Sequence, residues 1–165
     1  MKTVNSVSIF WLQILTSCLV CIIVVAWYVW PRLTQLSRNY ALIPLIFVHV
    51  FRYVGMTLLV PGMVDAKIPR EVLFNTAYGD LIAAALALSA VVALMNNWRV
   101  GVVMAWVFNI WGFVDLLGAV RTLLQVNLPS YNLGPIWFIY TYYAPMVIVS
   151  HVLIFWILLS RSWKK

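Results

Sequence analysis

Five long, uninterrupted apolar runs decide what this chain can fold into. They cover residues 9–30, 40–61, 77–95, 100–124 and 136–159. A bilayer core about 30 Å thick takes about 20 helical residues to cross, and every run meets that length. Backbone N–H and C=O groups find no partner in lipid, so a segment placed there must be helical or belong to a closed barrel. Barrel strands alternate apolar and polar residues over about 10 positions. These runs are longer and do not alternate. The expected fold is therefore all-α, a polytopic five-transmembrane-helix bundle, with residues 1–165 forming a single transmembrane domain.

Composition closes off the other classes. The chain is 65% hydrophobic and 9% charged, where soluble domains are about 45–50% apolar and about 25% charged. A small domain leaves too much surface in water to hide that apolar content, which excludes a soluble enzyme, a disordered chain and a disulfide-stapled secreted domain. The net charge is +7. Its basic residues lie mostly just outside the apolar runs and build no aromatic-interleaved basic face, so nucleic acid is not an expected partner. The expected partners are the lipid bilayer, a hydrophobic small molecule, and a membrane protein or another copy of the chain. Cys18 and Cys21 spell C-x-x-C inside the first run, where two small packing residues are the better reading than a redox pair.

The boundaries are written in a few residues. Trp30-Pro31-Arg32 is expected to end the first helix, because proline cannot continue the backbone ladder and tryptophan favours the interface. Pro61-Gly62 ends the second, Asn96-Asn97-Trp98-Arg99 turns the third into the fourth, and Gly134-Pro135 precedes the fifth. In the longest connection, Pro69-Arg70-Glu71 suits a helix start, either of a short interfacial helix or of an outward extension of the third span. Lys2 precedes the first run as in a signal peptide, but the run ends in bulky aromatics with no small-residue cleavage site and is read as retained. One set of ends carries Arg32, Arg38, Arg99, Arg161, Lys164 and Lys165, the other Lys2, Lys67, Arg70 and Arg121. The larger set is expected on the cytoplasmic side, which gives N-out and C-in. Three strings, His-Val-Phe-Arg (49–52), Tyr-Gly-Asp-Leu-Ile-Ala-Ala (78–84) and Phe-Asn-Ile-Trp-Gly-Phe-Val-Asp-Leu-Leu (108–117), resemble those of bacterial multi-span membrane proteins. The resemblance implies the bacterial cytoplasmic (inner) membrane and no particular activity.

Ionisable groups within membrane helices are costly and usually face the bundle interior with a partner. Here they are His49, Arg52, Asp80, Asp115 and His151. Counted at 1.5 Å per residue from the cytoplasmic ends, Cys21, His49, Asn109 and His151 fall roughly 12–14 Å in. Arg52, Asp80 and Asp115 form a second layer one to two turns further out. Arg52 is expected to pair with one or both acids, because an unpaired buried charge is very costly. Asp80, Asp115 and His49 are the candidates for proton-transfer chemistry. Arg52, Asn109, His151, Trp111 and Tyr140 are candidate ligand contacts in an aromatic-walled pocket whose further aromatics are Trp106, Phe108, Tyr142 and Tyr143. Gly112 and Gly118 would let another backbone approach, and Asp80, Ala83, Ala84 and Ala87 make a small-residue packing face.

The leading functional expectation is a polar intramembrane pocket for a small amphipathic or hydrophobic molecule such as a lipid, quinone or isoprenoid, with binding, transport and chemistry all open. Two alternatives come from other classes: a heme b held by His49 and His151, and a non-catalytic subunit of a larger membrane complex. No dedicated metal site is expected, because the acids stand about 9 Å above the imidazoles by helix rise. No phosphate-loop, dinucleotide, nucleophile-elbow or zinc-protease motif is present. With Cys18 and Cys21 replaced, a cysteine at position 67 is expected to react with an impermeant thiol reagent from outside intact cells, and one at position 165 only after permeabilisation. The opposite pattern reverses the orientation.

Overall fold

The computed structural model describes residues 5–160 and Trp163. Lys2, Arg161, Lys164 and Lys165, used above for orientation, lie outside the described residues. Five helices are long and apolar enough to cross a membrane: α1 (Ser6–Leu33), α2 (Arg38–Leu59), α3 (Arg70–Met95), α4 (Gly101–Gln125) and α5 (Ile136–Leu159). Among the described residues there is no strand, and the other regular element is a short 3-10 turn at Leu128–Ser130.

At one boundary the structure selects between two readings of the sequence, and at another it differs from the sequence reading. The third helix starts at Arg70, directly after Pro69, so the helix-start signal extends the third span outward by more than a turn beyond its apolar run. Pro31 does not stop α1. A π turn at Val25–Val29 precedes it, and the Trp30 N–H bonds Val25 O, five residues back. The ladder has thus already left α register where proline arrives, and the helix continues through Leu33. The same device recurs in α5, where a π turn at Ile139–Tyr143 comes just before Pro145. Helices α3 and α4 end on asparagines in left-handed conformation, Asn97 (φ 51°) and Asn127 (φ 49°), which asparagine tolerates better than most residues. At the end of α5, the Arg38 guanidinium donates to the Leu158 carbonyl, where a cation also meets the negative end of the helix dipole.

Packing divides into two apolar clusters with a polar belt between them. One cluster joins Leu42 and Ile46 of α2, Ala87, Ala90 and Leu94 of α3, Phe108 of α4, and Ile154 and Ile157 of α5. The other joins Phe10, Leu58, Ala77, Leu123 and Ile136 with the loop residues Ile68, Leu128 and Leu133. The loops are tied by the Asp65 N–H, which donates to Asn132 O at 2.8 Å. Helix α1 is peripheral. Within Ser6–Val24 only Phe10 is buried, Leu12, Leu15 and Leu19 are exposed, and the Trp137 Nε1–H donates to Gln13 Oε1 at 2.6 Å.

The small face of α3 lets its neighbours approach closely. Gly79, Ala83, Ala84, Ala87 and Ala90 are all buried, the small-residue pattern that allows tight helix contact. Ala87→Leu should therefore cost about 1–3 kcal/mol by overpacking, whereas Leu88→Ala, on the exposed side of the same helix, should melt like the parent. Thermal unfolding in detergent checks both.

Candidate functional site

The site begins with an irregularity in α2. Its first part, Arg38–Val50, is α-helical, and Phe51–Leu59 continues as nine residues of 3-10 helix. Such runs seldom exceed three or four residues. The segment is rich in residues that α-helices use poorly, including Tyr53, Val54, Gly55 and Thr57. The Thr57 hydroxyl also donates back to Val54 O at 2.6 Å. Three residues per turn put Arg52, Gly55 and Leu58 in one row, and these are the buried residues of the segment.

Arg52 is 3% exposed and lies among three helices. Its Nε–H donates to Asp80 Oδ1 of α3 at 2.8 Å, and its Nη2 is 2.7 Å from the same oxygen. Nη2 also donates to Asp115 Oδ2 of α4 at 2.6 Å. Nη1 donates to the carbonyl of Gly112 at 3.1 Å. Glycines make this convergence possible. A Cβ at Gly55 would overlap the Asp80 carboxylate, and one at Gly79 would overlap that of Asp115. At Gly112 a Cβ would stand 3.1 Å from Arg52 Nη1 and 3.0 Å from His151 Cε1. Gly118, expected to admit a neighbouring backbone, has nothing within 4 Å of its added Cβ.

Beneath the charges lies an imidazole pair. The rings of His49 and His151 are fully buried, with centroids 4.2 Å apart. The Ser150 hydroxyl donates to Val147 O at 3.1 Å and so accepts from His49 Nε2–H at 2.7 Å. The Asn109 amide donates to His151 O at 3.4 Å, which turns its Oδ1 to accept from His151 Nδ1–H at 2.7 Å. Assigned from this network, both tautomers are fixed. His49 Nδ1 and His151 Nε2 are left as bare acceptors with no hydrogen-bond partner among the described residues. The two rings touch, with no gap between them for a macrocycle plane. Among the described residues no three His, Cys, Asp or Glu side chains group as metal ligands.

Next to the charges is a cavity of about 200 Å³, with a wall from each of the five helices. A bound water needs only about 10–15 Å³, so the space admits an organic group. Arg52 and Asp80 are the charged residues that line it, and Trp11, Tyr140 and Tyr143 are its aromatic ones. The π turn of α5 carries both tyrosines, and the Tyr143 hydroxyl donates to Val48 O at 2.7 Å.

The structure thus brings Arg52 together with Asp80 and Asp115, and His49 together with His151 and Asn109, while Tyr140 joins Arg52 and Asp80 at the cavity. Other candidates lie elsewhere. Trp111 is 46% exposed and Tyr142 67%, both facing outward. Trp106 packs on Phe155, and Phe108 belongs to the opposite apolar cluster. Cys21 takes no part in the hydrogen bonds of either layer and lies half-buried on the peripheral helix. Sequence reasoning missed Trp11, Ser150, Gly55 and Gly79. Ser150 carried a signal, since it adjoins a histidine inside an apolar run. Trp11 carried none, because it sits where an interfacial anchor is equally expected. Removing one partner of a buried ion pair typically costs about 3–5 kcal/mol, so Arg52→Gln should destabilise the fold by that order in detergent melts. Adding Asp80→Asn to Arg52→Gln should recover part of the loss. An unchanged melt for Arg52→Gln alone would show that the charges do not form the pair.

No curated protein and no solved structure matches the chain. One family model does, over residues 9–159, which takes in nearly all of the five helices and the site they enclose. The chain therefore belongs to the family described as Domain of unknown function (DUF8737).

Proposed function

We propose that this is an integral protein of the bacterial cytoplasmic membrane, inserted N-out and C-in, that binds a small amphipathic molecule within the bilayer. The observation that carries this reading is the cavity. It is apolar over most of its wall, and Arg52 and Asp80 stand at one place on it. Ligand sites are typically concave and largely apolar, with a few polar groups that fix orientation. The tail of the ligand would lie against Ile14, Leu123 and Ile139, and its head against Asp80 and the tyrosines.

Roles follow from position. Asp80 lines the cavity and is the group placed to exchange a proton or a hydrogen bond with a bound head. Arg52 lines it too, but most of its donors are already committed to Asp80, Asp115 and Gly112. Asp115, Asn109, His49 and His151 do not line the cavity, so their contribution is to hold Arg52 and the helices around it. Direct contact of the two imidazole rings is what weighs against the heme reading.

The test is native mass spectrometry of the full chain released from membranes in mild detergent. Wild type should carry a small hydrophobic adduct. Ala119→Phe fills the cavity from α4 without touching a charge and should lose the adduct while keeping its helical circular dichroism. A bare wild type, or an adduct that persists in Ala119→Phe, overturns the proposal.

A further inference from the structure

We infer that the cavity selects an amphiphile with a positively charged, ammonium-type head. This rests on the binding reading above and adds the ligand class.

The argument is charge arithmetic at one place in the fold. A guanidinium has five N–H donors and one positive charge. Here Nε and Nη2 serve Asp80, Nη2 also serves Asp115, and Nη1 serves the Gly112 carbonyl. Two carboxylates, 18% and 19% exposed, share that single cation. The neighbouring groups add no charge to offset them. His49 and His151 meet the neutral partners Ser150 and Asn109, and neither has a hydrogen-bond partner at its second ring nitrogen, an arrangement that suits neutral imidazoles. The Tyr143 hydroxyl is committed to Val48 O. Of the other cations, Arg121 is exposed near the end of α4, Lys67 lies in the connection before α3 and Arg70 is the first residue of α3; none of them lines the cavity. With both carboxylates ionised the cluster is one positive charge short, and its reachable member, Asp80, opens on the cavity.

An anionic head would meet two carboxylates and a guanidinium that is already engaged. A neutral head would leave the excess charge where it is. An ammonium supplies the missing charge, and the same wall holds Trp11, Tyr140 and Tyr143, a residue class whose rings attract such cations. The same chemistry has two sources, an aminolipid of the bilayer or a free cationic amphiphile.

The experiment is equilibrium binding of tritiated dodecylamine to the full chain in nanodiscs of digalactosyldiacylglycerol, whose head carries no charge, with Ala119→Phe nanodiscs as the background. Dodecanol and dodecanoate serve as neutral and anionic competitors. Dodecylamine should bind saturably and at least about tenfold more tightly than either competitor, a modest ratio for one contact with a desolvated charge. Asp80→Asn keeps Arg52 paired with Asp115 and should remove that preference, with its melting point showing that the fold persists. Tyr140→Leu changes no charge and should weaken dodecylamine without strengthening dodecanoate. Competition by phosphatidylethanolamine placed in the nanodisc identifies a lipid headgroup as the source, and its absence identifies a free amphiphile; either agrees with the inference. If dodecanol or dodecanoate binds as tightly as the amine and Ala119→Phe blocks it, the charge selection is wrong and the binding reading stands. If none of the three binds saturably, both fail.

Discussion

Everything in the central layer of this molecule depends on one cation shared by two anions on different helices. Arg52 of α2 fixes the positions of Asp80 on α3 and Asp115 on α4, and it also takes the carbonyl of Gly112. Such an arrangement is not a gain in stability for its own sake, because desolvating three charges offsets much of their attraction. Its effect is on register. With the guanidinium engaged on two sides, neither α3 nor α4 can slide along α2 without stranding a buried charge. The glycines sharpen this constraint. Gly55 and Gly79 leave space that a methyl group would take from the carboxylates, so both carboxylates lie close against the backbone of a neighbouring helix.

The imidazole pair extends the same logic one layer down. Ser150 and Asn109 fix the tautomers, and the stacked ring of Phe108 closes the pair toward the larger apolar cluster. Helix α5 thereby joins α2 and α4 through polar contacts, as α3 joins them through charge. Helix α1 stands outside this network. It meets the rest of the bundle along a single stripe and reaches the cavity by Trp11 and Ile14. Four helices are thus cross-linked by buried polar groups, and the fifth completes a wall.

Much of the architecture is legible in the sequence because hydropathy and length are one-dimensional properties. The five helices follow from them, as does the small face of α3. The pairing expected of Arg52 is the geometry found, since a buried guanidinium leaves few alternatives. What the sequence conceals depends on backbone winding. Pro31 reads as a stop because the rule assumes an α ladder, whereas a π turn lets the helix pass it. The outward facing of Trp111 is not legible, because residues near one stripe differ in exposure once a neighbour covers only part of it. The depth count that groups Cys21 with the histidines gives a height alone. A height does not say which way a side chain turns, nor that its helix stands at the margin.

The 3-10 segment of α2 has a mechanical consequence. Nine residues at about 2.0 Å each span about 4–5 Å more than the same residues would as α-helix. Rewinding them to the α form would also turn Leu58 about 120° away from the row of Arg52, since each residue would advance by about 100° where it now advances by about 120°. The single buried row of Arg52, Gly55 and Leu58 is therefore a property of the longer, tighter winding, and an α-helix of the same residues could not present it.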